Sequence, residues 1–271
     1  MDHGASQTEY ASGKMLAAVR DGVGLITFNQ PEKRNAMSVE MWDGLAAILD
    51  AWDHAPAVHA VVLAGAGDKA FVSGADISQF ERSRNNADAQ REYDRLTGAG
   101  RSKLAAFGKP VIARIQGFCL GGGLGIALQA DIRVAAEGST FGIPAAKLGI
   151  AYGFDMVRRL VSLVGPAYAA TLLFTGERIT AAEAARIGLV NQVVAPAALE
   201  ETVAALARGI AANAPLSIAG MKLILRQATL DPADRDMDAV ARAVAACFDS
   251  ADYAEGRTAF MEKRRPVFRG A

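Results

Sequence analysis

Two glycine-centred turns carry the residues best suited to chemistry in this 271-residue chain: Ser73-Gly74-Ala75-Asp76-Ile77 and Gly121-Gly122-Gly123-Leu124-Gly125. A junction running strand, glycines, helix exposes backbone N–H groups at a helix N-terminus, with the positive end of the helix dipole behind them. No bulky side chain blocks the approach, so such groups can bind an anion or a polarised carbonyl oxygen. Two converging N–H donors make an oxyanion hole, and removing one such donor typically costs about 2.7–4 kcal/mol of transition-state stabilisation. Spacing alone does not establish convergence, and loop packing explains a run of glycines equally well.

Other chemistries lack their residues. The three histidines, His3, His54 and His59, belong to no HExxH motif and no Cys/His cluster, which argues against a metal site. There is no GxSxG nucleophile elbow and no GxxxxGK[ST] phosphate loop. The glycine run fails the GxGxxG spacing, because the third residue after Gly123 is Ile126. Cys119 and Cys247 match no metal or redox spacing and read as two small buried side chains, as in a reducing compartment. Lys and Arg total 29 against 29 Asp and Glu, so the basic excess of a nucleic-acid binder is absent. The longest uncharged stretch, residues 160–176, contains Gly165 and Pro166 and falls short of the about 20 apolar residues of a membrane span. The N-terminal residues have neither the basic nor the apolar region of a signal peptide. A cytoplasmic protein with no membrane or nucleic-acid partner is the expectation.

The elements that must position the two turns alternate in type. Residues 14–29 read as two strands around Asp21-Gly22, and Ser38 reads as the N-cap of an amphipathic helix running to about Asp53. Residues 59–64 form a continuous apolar run, as expected of a strand buried on both faces. Residues 80–94 read as a mobile loop leading into a helix that ends near Gly108. Strands are expected at 110–115 and 131–135, on either side of the glycine cluster and a short helix at 126–130. Thr180 and Glu183 form a capping box, and a last strand is expected at 190–194. Beyond Pro196 the chain reads as helical, with breaks at 213–215 and 231–232. The predicted organisation is a flexible tail over 1–13, an α/β core over 14–195 and a helical region over 196–271.

Three segments, AFVSGADISQF (70–80), KPVIARIQGFCLGGGLGIALQADIRVA (109–135) and FTGERITAAEAARIGLVNQVV (174–194), resemble the crotonase superfamily, the enoyl-CoA hydratase/isomerase group. The similarity runs from about Lys14 to FMEKRRPVF (260–268) with order and spacing kept. The resemblance implies a crotonase-like ββα superhelix core, a C-terminal helical trimerisation region, and assembly as a trimer or dimer of trimers. It implies acyl-CoA thioesters as substrates, with coenzyme A carried by the substrate and no separate cofactor or metal. By position, the backbone N–H groups of Ala75 and Gly122 would bind the thioester oxygen, flanked by Gly74, Asp76 and Ile77. The loop PEKRNAMS (31–38), with Lys33, Arg34 and Ala36, matches the segment lining the adenine and pantetheine of CoA. Phe260 and Lys263 match positions near the nucleotide end of CoA in a neighbouring subunit. Asp76 is expected to brace its own turn through an Asx-type hydrogen bond.

The chain departs from the family pattern where hydration chemistry is done. Hydratases of the family use two glutamates to hold and activate water; here Gly125 and Ala145 stand at those positions. Positioned acid–base groups contribute typically about 10²–10⁴-fold, so their loss changes the chemistry. The two small residues are expected to leave the pocket floor open. Tyr152, in LGIAYGFD, stands where naphthoate synthases resemble one another in an aspartate and methylmalonyl-CoA decarboxylases in a tyrosine. It is the side chain expected to donate to a substrate carboxylate or leaving group, although the decarboxylases have a histidine where this chain has Ala75. Asp155, close behind it, reads as a first-turn helix carboxylate. The expected function is an acyl-CoA enzyme of the hydratase/isomerase family, a lyase or isomerase, that stabilises a thioester enolate. Decarboxylation or C–C cleavage through Tyr152, and acyl-CoA binding without catalysis, stand as the alternatives.

Overall fold

The Asp21-Gly22 pair closes a hairpin between β2 (Met15–Arg20) and β3 (Val23–Phe28), as a two-residue turn with φ positive at both positions should. The computed structural model describes residues 7–76 and 86–271, so Ile77 and residues 80–85 of the expected loop lie outside the described residues. β4 (Ala60–Gly65) runs parallel to β3 and to β6 (Val111–Ile115), and its first five residues are buried, which a central strand covered on both faces requires. β8 (Ile132–Ala136) and β11 (Gln192–Val194) extend this sheet. The tail expected over 1–13 is corrected from Thr8 onward. β1 (Thr8–Tyr10) pairs antiparallel with β2, giving the order β1-β2-β3-β4-β6-β8-β11. Three ladder residues next to a hairpin leave too short a signal to read from composition.

A second sheet holds β5 (Ala70–Val72), β7 (Phe118–Leu120), β9 (Thr140–Gly142) and β10 (Arg178–Thr180) in the order β10-β9-β7-β5. β5 and β7 are neighbours and run parallel. Each ends in one of the two glycine turns, so the sheet delivers both turns to the same edge.

α1 (Val39–Asp53) is capped by Ser38, whose Oγ accepts from the Met41 N–H at 3.3 Å, and it buries Met41, Leu45, Ile48 and Trp52 in the core. α2 (Ala87–Ala106) starts at the Asn86 cap, so residues 87–94, expected as loop, are helical. Its charged surface hides a narrow buried stripe of Tyr93, Thr97, Gly100 and Leu104. α3 (Gly122–Gln129) begins four residues ahead of the expected 126. α4 (Phe154–Thr175) is broken at Gly165 (φ 74°, ψ 165°). By length and composition α4 is apolar enough to cross a membrane, yet neither arm reaches the about 20 residues of a span.

α5 (Ala181–Arg186) opens on the expected cap, with Thr180 Oγ1 accepting from the Glu183 N–H at 3.2 Å. The helical third consists of α6 (Leu199–Ala211), α7 (Pro215–Ala228), α8 (Met237–Phe248) and α9 (Ala251–Glu262). α6 lays Leu199, Val203 and Ala207 over Val62, Ile112 and Val134 of the large sheet. Cys119 is fully buried and its thiol is pushed up by that burial, whereas Cys247 is partly exposed.

Candidate active site

The turn after β5 is locked to the loop before α1. Met37 donates to the Gly74 carbonyl (2.8 Å), and the Asp76 N–H donates to the Met37 carbonyl (2.9 Å). Ser73 N–H reaches the Arg34 carbonyl at 3.1 Å. This is a parallel bridge between Met37 and Ala75. Successive N–H groups of extended chain point to opposite edges, so Ala75 presents its own N–H away from Met37. That N–H has no hydrogen-bond partner among the described residues.

The turn after β7 is built for close approach. Gly121 takes φ 54° and ψ −119° and sends its N–H to the Gly142 carbonyl at 2.9 Å, which swings the chain out of β7 and lets Gly122 start α3. A Cβ on Gly123 would collide with the carbonyl oxygen of Val72, so only glycine lets α3 sit against β5. Gly122 faces the other way: a Cβ there would stand 3.8 Å from the Ala75 nitrogen. Its N–H, at the first helical position, has no partner within the helix. Ala75 and Gly122 are both partly exposed. The structure therefore brings the two expected backbone donors side by side at the positive end of α3.

The far end of α3 is held by cations. Buried Arg133 donates to the carbonyls of Ala130 (2.6 Å), Ala127 (3.4 Å) and Leu189 (2.8 Å), and Arg159 donates to Leu128 (2.9 Å). Burial lowers the Arg133 pKa to about 10, so it stays charged at neutral pH. Both arginines cap the negative end of the helix whose positive end faces Ala75.

Tyr152 joins this group. Its hydroxyl lies 3.1 Å from where Gly121 would carry a Cβ, and its ring packs on the main core. Asp155 is exposed in the first turn of α4. Of the two positions expected to leave the floor open, Gly125 is partly exposed beside Met156 and Ala145 is buried. A Cβ on Gly125 would meet Met156 at 3.4 Å (Sδ) and 3.5 Å (Cε), so the thioether covers that glycine. Ala145 is 4% exposed within the core, and its carbonyl accepts from Leu148 and Ile150. Nothing in the sequence near Gly125 announces Met156, because the contact crosses from α4 to α3.

The loop 31–38 is tied down as well. Lys33 Nζ donates to Asp76 Oδ2 at 2.8 Å, which raises the lysine pKa above its ordinary value. Asp76, buried beside Ala75, thus anchors the loop 31–38 through Lys33. Arg34 takes φ 53° and lays its guanidinium 5.3 Å from the centre of the Phe118 ring, with Arg178 on the same ring at 5.1 Å. Ala36 is buried and its carbonyl accepts from Gln30. Asn35 was missed by sequence reasoning. It is fully buried, accepts from the Gln30 N–H at 3.0 Å, and donates to the carbonyls of Ala66 (3.0 Å) and Ala70 (2.8 Å). Its signal was an asparagine at positive φ inside a polar loop. A cavity of about 260 Å³ opens beside this loop, lined by Pro31, Arg34, Asn35, Asp68 and Lys69 but not by Ala75 or Gly122.

Phe260 is 82% exposed on α9, and Lys263 is that helix's C-cap at φ 54°. Neither is brought to the Ala75–Gly122 pair by a described contact. Ile77 lies outside the described residues. Among the described residues no group of three or more His, Cys, Asp or Glu is placed to hold a metal.

A family model described as enoyl-CoA hydratase/isomerase matches residues 18–271. The crotonyl-CoA hydratase of Syntrophomonas wolfei is 39% identical over 248 residues, covering 90% of this chain and 93% of its own length. The short-chain-enoyl-CoA hydratase of Clostridium acetobutylicum is 37% identical over 243 residues, covering 90% and 92%. The crystal structure of an enoyl-CoA hydratase/carnithine racemase from Magnetospirillum magneticum aligns with a TM-score of 0.92 at 36% identity, covering 98% of this chain and 97% of that one.

Proposed function

This chain belongs to the enoyl-CoA hydratase/isomerase family, and from that premise we propose that it seats an acyl-CoA thioester with the carbonyl oxygen between the N–H groups of Ala75 and Gly122. The observation that carries the reading is the placement side by side of two donors with no partner among the described residues, with a Cβ on Gly122 only 3.8 Å from the Ala75 nitrogen. As negative charge develops on that oxygen, fixed N–H dipoles and the α3 terminus stabilise it without reorganising. The loop 31–38 is the segment assigned to the nucleotide side of CoA; the cavity beside it holds Arg34 and Lys69 together with Glu32 and Asp68.

With glycine and alanine at the two carboxylate positions, the enolate is formed by a route other than a glutamate-held water. The Tyr152 hydroxyl beside Gly121 supports loss of a carbon substituent. In that route the bond from the α-carbon to the leaving carbon breaks, and its electron pair moves onto the thioester oxygen. From a β-carboxylate the leaving group is carbon dioxide; from a β-keto chain, water first adds to the keto carbon so that the fragment leaves as a carboxylic acid, and in both cases the α-carbon then takes a proton from solvent. Hydration and isomerisation, the activities that the relatives' names carry, are the rival outcomes.

Self-association belongs to the same reading. Phe154 (76% exposed), Phe174 (78%), Phe248 (61%) and Phe260 (82%) leave apolar area on α4, α8 and α9 that a second copy would cover. A trimer or dimer of trimers would bring Phe260 and Lys263 of one copy to the CoA of another, and light scattering after gel filtration tests it.

The deciding experiment incubates the protein in D₂O with enoyl, 3-hydroxyacyl, malonyl-type and cyclic β-keto CoA thioesters and reads the products by mass spectrometry. Loss of CO₂ or ring cleavage, with deuterium at the α-carbon, supports the proposal. Water addition restores hydratase chemistry without glutamates. Binding without turnover leaves an acyl-CoA-binding protein.

A further inference from the structure

We propose that Met156 gauges the acyl chain: its thioether closes the accessible strip of α3 and sets the length of apolar chain the site accepts. The inference rests on the thioester seat at Ala75 and Gly122. Gly122 and Gly125 lie three residues apart, so they share one face of α3, about 4.5 Å apart along the axis. Both are partly exposed, whereas Gly123, Leu124 and Ile126 are buried. The partly exposed positions on this face are Gly122, Gly125 and, a further turn on, Gln129, so the stretch nearest the thioester seat runs from Gly122 to Gly125.

One end of that strip presents the Gly122 N–H beside Ala75. The other end is covered by Met156, whose Sδ and Cε would meet a Cβ on Gly125 at 3.4 and 3.5 Å. A carbonyl oxygen held at the first end places the first few carbons of the acyl chain within reach of the second. The contact they find there is a thioether and a methyl group. A carboxylate at residue 125 would have offered acid–base chemistry; Met156 offers dispersion and an adjustable, unbranched shape. Met156 stands in the first turn of α4, packed against the core and partly exposed. The substrate class implied is a thioester whose chain beyond the α-carbon is apolar and short.

The test measures equilibrium binding of free CoA and of saturated acyl-CoAs from acetyl to decanoyl by calorimetry. It uses the full chain, Met156→Ala, and Met156→Val as a milder truncation should the alanine variant fold poorly. Each methylene newly buried adds about four-fold in affinity. Removing the thioether is expected to move the preferred chain about two carbons longer and to raise affinity for the longest chains at least about ten-fold, with a smaller shift in the same direction for valine. An unchanged chain-length profile in a folded variant overturns the role of Met156 while leaving the thioester seat intact. If the unmodified protein binds no acyl-CoA better than free CoA, the seat itself is wrong and the gauge falls with it.

Discussion

The nitrogen of Ala75 lies 3.8 Å from where Gly122 would carry a Cβ, while the Cβ that Gly123 lacks would collide with the Val72 carbonyl. Two adjacent glycines thus do different work, one at the site and one in the scaffold. Gly122→Ala should leave the fold intact and, by restricting the unfolded chain, raise stability by about 0.5 kcal/mol. Its methyl group would crowd the space between the two donors and cut turnover about 10²-fold. Gly123→Ala should cost about 1–3 kcal/mol by pushing α3 off β5. Urea unfolding read beside turnover separates the two; equal effects of both variants would show that Gly122 is a packing glycine as well.

The scaffold around this pair was legible where its signals are local. Ser38 and Thr180 cap their helices as read, because a cap needs only residues within one turn, while Glu183 gives its carboxylate to Arg186. The apolar run of β4 announced a central strand for a similar reason. The start of α3 was misplaced because it is set from a distance, by the Gly121 N–H on Gly142 of the short strand β9. The neighbour of Gly125 was not legible for the same reason, since Met156 arrives from another helix. Ala75 and Gly122 were named through resemblance; their proximity follows from β5 and β7 being parallel neighbours, which no local pattern states.

Asn35 should prove as important to the loop as any charged residue in it. Its amide satisfies the Gln30 N–H and the Ala66 and Ala70 carbonyls from a fully buried position. Asn35→Ala is expected to lose about 2–3 kcal/mol, because the partners are left buried and unpaired. It should also weaken CoA binding, since the loop holds the Ala75 turn through Met37. Denaturant titration and calorimetry with free CoA check both parts.

Arg133 carries a full charge in the core and spends it on carbonyls at the end of α3 and on Leu189. Arg133→Met fills the space and strips away the donors. A loss of about 3 kcal/mol is expected in chemical unfolding, from charge-assisted hydrogen bonds removed and carbonyls stranded. Leu189 and Ala130 should show it first, as faster amide exchange in their neighbours.

Glu255 fastens the C-terminal segment to α9. Arg264 donates two hydrogen bonds to it (2.6 and 2.8 Å) and the Val267 N–H a third (2.8 Å). These hold its carboxyl at about 2, below the ordinary 4.5, with the Arg264 hydrogen bonds the larger cause. A depressed carboxylate adds stability that is present above its unfolded value and lost as pH falls through the folded one. Attachment of residues 264–269 should therefore persist at neutral pH and loosen between about pH 4.5 and about pH 2. Glu255→Gln should loosen residues 264–267 at neutral pH, seen as faster amide exchange there, while Asp252 still holds the N–H groups of Arg269 and Gly270 and the α/β core is unaffected.

Tyr152→Phe asks whether the hydroxyl over Gly121 does chemistry. The ring packs on the core and phenylalanine keeps that packing, so the melting temperature should hold. The hydroxyl lies 3.1 Å from where Gly121 would carry a Cβ, next to the oxygen seat proposed at Gly122, so on that proposal its loss removes a donor near the reacting carbon. If it protonates the enolate or hydrogen-bonds the departing group, kcat should fall about 10²-fold while KM stays within a few fold. Deuterium incorporation at the α-carbon should fall in the same proportion. A rise in KM with kcat unchanged would instead place the hydroxyl in binding alone, and would leave the Ala75 and Gly122 N–H groups to stabilise the enolate without it.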